Sequence, residues 1–214
     1  MNSTRPDTEL DLSGFLAAHR AMRVEFGRLA AVAAEPRDEW HARLIDDQIA
    51  VHLDLLHQHH SHEDSELRPK LRERAPAAAP ELDMLEAQHG DIEPLIDIAG
   101  DATLARRRRA ATLSALHTAI NRHLDDEERI ALPLILEHIT PDEWAALGRR
   151  AIDTMSPKQR RLALGASALD ASPEELAHLM AALPAPVRLM LRLRWIHACR
   201  RRNQRLYGDP ASEG

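Results

Sequence analysis

The sequence predicts an all-α fold: a four-helix bundle followed by a C-terminal helical extension. Hydrophobic residues make up 44% of the chain and are mostly Ala and Leu, whereas aromatic residues make up only 3%. Such a composition favours helices over sheets. Apolar residues recur at helical spacing in four long segments, and no segment shows the alternation that is typical of a strand.

Four long helices are expected within residues 10–140. Their expected spans are about 10–34, 37–67, 80–99 and 103–138. The second should end or bend at Pro69, because proline lacks a backbone donor and clashes with the preceding turn. The third contains Gly90 and Pro94, which should weaken or bend it.

Residues 141–214 are expected to form a helical extension that packs on the bundle, and residues 1–9 a disordered lead. Two segments, TPDE at 140–143 and SPEE at 172–175, have the form of capping boxes with proline at the first helical position. Ser156 followed by Pro157 marks a further helix start. Helices are therefore predicted near 141–154, 157–169, 173–183 and 186–206.

Composition and charge argue against several classes of protein. The net charge of −6 gives no overall reason to expect nucleic-acid binding, although the last predicted helix is rich in arginine. A single cysteine, Cys199, rules out an intramolecular disulfide and fits a reducing cytoplasm. The polar N-terminus lacks the apolar segment of a secretion signal, and no apolar run approaches the roughly 20 residues that span a bilayer. We therefore expect a soluble cytoplasmic protein without a membrane partner.

The candidate functional residues lie in a repeated His-x-x-x-Glu pattern. His59 and Glu63 form the first pair, and His123 and Glu127 repeat it 64 positions later. Each pair is followed six residues after its glutamate by a proline. Residues four apart are neighbours on a helix surface, so each pair can bind one metal ion or bridge two.

The other two long helices each add one histidine on the apolar face, His19 and His89. Together with the two pairs they give four imidazoles and two carboxylates that can converge in a bundle core. This set is too large for one tetrahedral zinc ion and suits two octahedral ions that share the carboxylates as bridges. Mixed imidazole and carboxylate donors point to iron, with manganese or zinc as alternatives. Two carboxylates offset only part of the charge of two ferrous ions, so a bridging hydroxide or oxide is expected.

The pattern H…HxxxE…H…HxxxE, with EDSELRPKL and EERIALPLI at the pairs, resembles the hemerythrin-like family, also called HHE domains, over roughly residues 10–140. The resemblance implies a non-haem diiron site that binds or reacts with dioxygen, peroxide or nitric oxide. It assigns His19 and His59 to one iron and His89 and His123 to the other. Glu63 and Glu127 would bridge the two ions.

The sequence departs from the pattern of oxygen-carrying hemerythrins at two places. Glu93 stands where those proteins have a second histidine on the third helix, and Glu127 and Glu128 stand near the position of their aspartate. Both departures predict a site richer in carboxylate and poorer in imidazole. Glu93 is a candidate catalytic residue, with two possibilities open: it coordinates an ion, or it stays back as a general acid or base. His57, His60 and His62 are expected to turn away from the site.

These features predict a diiron oxidoreductase of the peroxidase, catalase or nitric-oxide-peroxidase type rather than an oxygen carrier. Its expected partners are a small diatomic or peroxide ligand and an electron donor. The alternative is a protein that senses dioxygen, nitric oxide or redox state, or that binds metal without turnover. For the seven arginines of the last helix, docking or a solvated face is favoured over nucleic-acid binding, because the rest of the chain is acidic.

Overall fold

The computed structural model describes residues 10–169 and 171–208, apart from the side chain of Ala182, and this part of the chain is helical without a strand. The expected disordered lead, residues 1–9, lies outside the described residues. The bundle consists of α1 (Ser13–Val32), α2 (Glu39–His62), α3 (Arg68–Arg74), α4 (Ala79–Gly100) and α5 (Arg106–His138). The extension consists of α6 (Pro141–Thr154), α7 (Pro157–Leu169), α8 (Pro173–Ala182), α9 (Ala185–Met190) and α10 (Ile196–Tyr207).

The four long helices α1, α2, α4 and α5 pack as a ring. Helix α2 contacts α1 and α4, and α5 contacts the same two helices from the opposite side. Short connections join consecutive helices, as in an up-down-up-down bundle. The prediction of an all-α four-helix bundle is confirmed.

Two apolar clusters fill the bundle interior at different heights. The larger one packs around residues such as Phe26, Ile49 and Leu113, and the smaller one around Leu71 and Leu82. The histidines and glutamates singled out in the sequence lie between these clusters along every long helix. The bundle therefore contains a polar layer enclosed by two apolar layers.

The sequence predicts that the second helix ends or bends at Pro69, and the structure shows that it does not end there. The chain passes from α2 through a π-turn at Glu63–Leu67 directly into α3, which continues to Arg74. Pro69 stands in the first turn of α3. In the π-turn before it, backbone hydrogen bonds join residues five apart, so the regular i to i−4 hydrogen bond that proline cannot make is not required there. Helix α4 likewise runs unbroken through Gly90 and Pro94, and α5 through Pro133.

The helices α6, α7, α8 and α9 begin within one residue of the predicted starts, and the predicted last helix, 186–206, is present as α9 and α10 joined by a π-turn at Leu191–Trp195. Thr140 with Glu143 and Ser172 with Glu175 form reciprocal capping boxes at the starts of α6 and α8. The extension also contacts the bundle. Leu206 of α10 is fully buried in the larger apolar cluster, and the Tyr207 hydroxyl donates a 2.9 Å hydrogen bond to the buried carboxylate of Glu25.

The arginine-rich end of the chain presents most of its charge to solvent. Six of its arginines are exposed: Arg188, Arg192, Arg194, Arg200, Arg201 and Arg205. The same segment buries Leu191, Cys199 and Leu206. Within the described residues, none of the helices combines the length and the hydropathy required for crossing a lipid bilayer.

If α10 is an integral part of the bundle core, Leu206→Ala should lower the free energy of unfolding of the whole protein by about 2–4 kcal/mol, because it leaves a cavity in the core. Urea unfolding followed by far-UV circular dichroism measures this change. The matched control is Leu193→Ala in the neighbouring π-turn, where the side chain is 64% exposed and the expected change is within about 0.5 kcal/mol. Equal effects of the two substitutions would contradict the integral packing of α10.

Candidate metal centre

The polar layer of the bundle brings together all six residues of the sequence-predicted ligand set and adds a seventh, His60. They form two groups in which the potential ligand atoms all lie within 4.8 Å of one another. The first group is His19, His59, Glu63 and Glu127, and the second is His60, His89 and His123. All seven residues are buried except His59, which is half-buried.

The first group joins side chains of α1, α2 and α5 with the start of the π-turn. His59 Nε2 lies 3.0 Å from Glu63 Oε1, and His19 Nε2 lies 3.4 Å from Glu127 Oε2. The imidazoles of His19 and His59 meet edge to face, with ring centroids 5.3 Å apart. Two imidazoles and two carboxylates therefore face one point.

The second group consists of imidazoles from α2, α4 and α5. His89 Nε2 and His123 Nε2 are 3.0 Å apart, and the His60 ring stacks on that of His89 with centroids 3.8 Å apart. The first group's carboxylates also reach this one: Glu63 Oε2 lies 3.6 Å from His89 Nε2, and Glu127 Oε2 lies 3.7 Å from His123 Nε2. Glu63 thus presents one oxygen to each group, as a bridging carboxylate does.

The expectation that His60 turns away from the site is wrong. His60 is only 2% exposed and faces His89 and His123, whereas His57 is exposed and His62 is half-buried. Adjacent residues on a helix are about 100° apart, so a helix wedged between two others can direct consecutive side chains to two different groups. The third imidazole of the second group therefore comes from α2. With His60, the layer contains five imidazoles, one more than the four that the sequence predicts.

Acceptors outside the two groups hold three of the imidazoles in position. His19 Nδ1 donates to Glu128 at 2.9 Å, His89 Nδ1 donates to Asp64 at 3.0 Å, and His123 Nδ1 donates to Gln88 at 3.0 Å. With the proton on Nδ1, each ring directs the lone pair of Nε2 into the polar layer.

These outer partners repeat along the chain. Asp64 and Glu128 each follow a glutamate of the layer directly, and each holds a histidine of a neighbouring helix. An acidic residue after both His-x-x-x-Glu pairs was therefore a sequence signal for the outer partners. In the structure, Glu128 accepts the hydrogen bond of His19 and belongs to neither ligand group.

Burial sets the protonation of the layer. Desolvation lowers the pKa of all five histidines, and it lowers that of His123 to about 3. It also raises the pKa of the Glu63 and Glu127 carboxyls to about 8. At neutral pH the histidines are consequently neutral and have lone pairs to offer, and the two glutamates hold protons that a cation would displace.

The residues present fit a metal centre. Several of the converging atoms have no hydrogen-bond partner among the described residues: Nε2 of His19 and His59, both ring nitrogens of His60, both oxygens of Glu63, and Oε2 of Glu127. Buried polar atoms are normally satisfied, because an unmade bond costs about 1–3 kcal/mol. A cation between these donors would satisfy them together, and imidazole with carboxylate is a donor set that suits iron, manganese or zinc.

Arg68 lies beside the second group and was not identified from the sequence. It is 3% exposed, its Nη2 is 3.1 Å from His89 Nε2, and its other terminal nitrogen pairs with Asp64. The π-turn brings it there: the Arg68 amide donates to the Glu63 carbonyl five residues earlier, so Arg68 stacks one turn above Glu63. In a regular α-helix Leu67 would take that place.

Glu93 belongs to neither ligand group among the described residues. Its carboxylate accepts a 3.2 Å hydrogen bond from His57 Nδ1 and lies 3.8 Å from His60 Nδ1. His57 and Glu93 line a cleft of about 550 Å³ between α2 and α4, and His60 and His89 lie at its inner end. Of the two possibilities left open by the sequence, the geometry favours the one in which Glu93 stays outside the ligand groups.

Aromatic side chains cover the first group on the opposite side. The Phe15 ring lies 4.1 Å from the His19 ring and 6.1 Å from the His59 ring, measured between centroids. Trp144 of α6 packs on the outer edge of Phe15 at 5.6 Å, and its indole donates to the Asp11 carbonyl. The extension therefore helps to close this side of the polar layer.

The family model of the hemerythrin HHE cation-binding domain matches residues 11–135. No curated protein matches the chain, and no solved structure does. The match spans more than half of the 214 residues, runs from α1 to residue 135 within α5, and includes both ligand groups. With the resemblance read from the repeated His-x-x-x-Glu pattern confirmed, the chain belongs to the hemerythrin HHE cation-binding domain family.

Proposed function

We propose that this protein is a non-haem diiron oxidoreductase that reduces a small oxidant, with peroxide as the preferred substrate and nitric oxide or dioxygen as related ones. His19 and His59 would hold one iron ion, and His60, His89 and His123 the other. Glu63 and Glu127 would bridge the ions. When bound, the ions would supply the electrons for the reduction.

The observation that carries this proposal is the buried guanidinium of Arg68 beside the second group. A fixed cation next to two metal ions is unfavourable unless negative charge develops nearby. One terminal nitrogen of the guanidinium pairs with Asp64, and the other, Nη2, faces the second group, 3.1 Å from His89 Nε2. A guanidinium at this place stabilises the negative charge that forms on an oxidant during reduction, and this is the role of preorganised donors in many active sites.

Protons must accompany the electrons, and Glu93 with His57 would deliver them. The two side chains are joined by a hydrogen bond and lie at the solvent side of the cleft. His57 is exposed and can exchange protons with water, while Glu93 lies between His57 and the buried ring of His60. General acid–base catalysis by such a carboxylate typically contributes about 10²–10⁴-fold to a rate.

A sensing role is the second candidate, and one observation favours it. Helix α1 carries His19 and also bonds the extension, through Arg20 to Glu175 and through Glu25 to Tyr207. A shift of α1 on ligand binding would therefore change the contacts of α8 and α10. For both candidates we propose a cytoplasmic location, because a chain with one cysteine, which is buried, fits a reducing compartment.

The purified protein should bind about two iron ions per chain, and His60→Ala should remove about one of them because the second group loses its α2 ligand. His59→Ala and His123→Ala should lower both metal content and melting temperature. Metal analysis after dialysis and thermal unfolding provide these values.

The matched control for this ligand set is His57→Ala, which removes an exposed histidine three residues from His60. It should retain full metal content at equilibrium. Full occupancy in His60→Ala, His59→Ala and His123→Ala alike would show that the assigned ligands are wrong.

Metal binding should release protons. Because the pKa of Glu63 and of Glu127 is about 8 in the metal-free protein, both carboxyls are protonated at pH 7 and must lose their protons to coordinate. We expect about two protons per chain at pH 7 and progressively fewer above pH 8. Titration with Co²⁺ in weakly buffered solution containing a pH indicator measures the release. Glu127→Gln should release about one proton fewer, and the absence of any release at pH 7 would contradict the assigned protonation.

The reduced, iron-loaded protein should consume hydrogen peroxide and form no long-lived oxygen adduct in air. Compared at equal iron content, Glu93→Gln should slow peroxide consumption by about 100-fold, because the amide cannot carry a proton. Arg68→Gln should also slow it, since the guanidinium charge is lost. Stopped-flow absorbance measures both rates.

Glu86→Gln is the control for the loss of a carboxylate from the cleft. Glu86 lines the same cleft and pairs with Arg72. This variant should retain the parent rate. A stable, reversible oxygen spectrum from the unmodified protein would place it among the oxygen carriers instead.

A further inference from the structure

The cleft between α2 and α4 has features that the reaction with an oxidant does not require. Two rows of side chains face each other across it, His57, His60 and Asp64 on one side and Glu86, His89 and Glu93 on the other. All six offer nitrogen or oxygen donors to a divalent cation. We propose that this cleft is the route by which the metal ions reach the centre, a proposal that rests on the proposed diiron function.

The donors follow one another from solvent to the interior. At the outer end, the His57 side chain is 62% exposed and that of Glu93 is 37% exposed, with the two joined at 3.2 Å. At the inner end, His60 is 2% exposed, and neither of its ring nitrogens has a hydrogen-bond partner among the described residues. A hydrated cation can exchange its waters for protein donors one at a time along such a sequence.

The charges of the cleft favour cations at its outer end. Asp64 pairs with Arg68, and Glu86 shares Arg72 with Asp83, so each of these two carboxylates has an arginine partner. The contacts of Glu93, in contrast, are the imidazoles of His57 and His60. Among the three carboxylates that line the cleft in the described part of the chain, Glu93 is the one whose ion-pair contacts are imidazoles and not an arginine, so no guanidinium competes there with an incoming cation. Local charge in a cleft can raise association rates by about 10–10³-fold.

The other side of the centre is less suited to uptake. Phe15 covers the rings of His19 and His59, and Trp144 packs against Phe15. An ion that approached from there would have to displace these two aromatic side chains. On the α2–α4 side, Gly90 has no side chain, and a Cβ added to it would meet nothing within 4 Å. The cleft therefore has both open space for an ion and side chains that can bind it.

The test measures how fast the metal-free, full-length protein takes up Co²⁺, followed by stopped-flow absorbance, with final metal content determined separately. Glu93→Gln and His57→Ala should each slow uptake by about tenfold and leave the final content unchanged. Added salt should slow uptake by the parent protein, because it screens the attraction between the Glu93 carboxylate and the incoming cation. It should have little effect on Glu93→Gln, which lacks that carboxylate.

A steric variant tests the route independently of charge. Gly90→Met places a side chain in the cleft without a clash at Cβ and replaces glycine by a better helix former, so the helix is expected to fold. The matched control is Gly148→Met in α6, another helical glycine with open space at Cβ. Gly90→Met should slow uptake, and Gly148→Met should not.

The outcomes separate the route from the function. A parent protein that binds about two ions, together with cleft variants that load at the parent rate, would overturn the route and leave the diiron centre standing. A lower final content in Glu93→Gln would overturn it too, because Glu93 would then be a resident ligand. A parent protein that binds no Co²⁺ and no iron would overturn both proposals.

Discussion

Burying seven ionisable side chains across the middle of a helical bundle is unfavourable unless something compensates their unmade interactions. The fold meets this constraint in three ways. Apolar clusters above and below the polar layer supply the packing that holds the helices in register. Outer acceptors fix the imidazoles of His19, His89 and His123. The remaining donors converge, so that cations can satisfy them together.

The charge beside the second ligand group depends on one local irregularity. The π-turn at Glu63–Leu67 places Arg68 above Glu63 and beside His89, where a regular helix would place Leu67. The repeated pattern of the sequence breaks at the same point, because the counterpart of Arg68 in α5 is Leu132 and α5 is regular throughout. The two halves of the centre are alike in their ligands and differ in the charge next to them. This asymmetry is why we assign reactivity to the side of His60, His89 and His123.

The C-terminal extension contributes to the same centre from outside. Trp144 supports Phe15 over the first ligand group, and Leu206 and Tyr207 complete the packing around α1 and α2. One side of the polar layer is thereby sealed by aromatic rings, and the α2–α4 side is left with an open, donor-lined cleft. The polar layer is therefore covered on one side and accessible to solvent on the α2–α4 side.

By itself, the sequence determined the all-α fold, the helix starts of the extension and the convergence of six histidines and glutamates, because helical periodicity, capping boxes and i,i+4 spacing are local properties. Tertiary structure alone decided the places of His60, Arg68 and Glu93. Whether His60 is buried depends on α4 and α5, whose His89 and His123 it faces, and whether Arg68 reaches His89 depends on a π-turn rather than an α-turn. The residue spacing in the sequence predicts neither the burial of His60 nor the π-turn, because both depend on how the helices pack against one another.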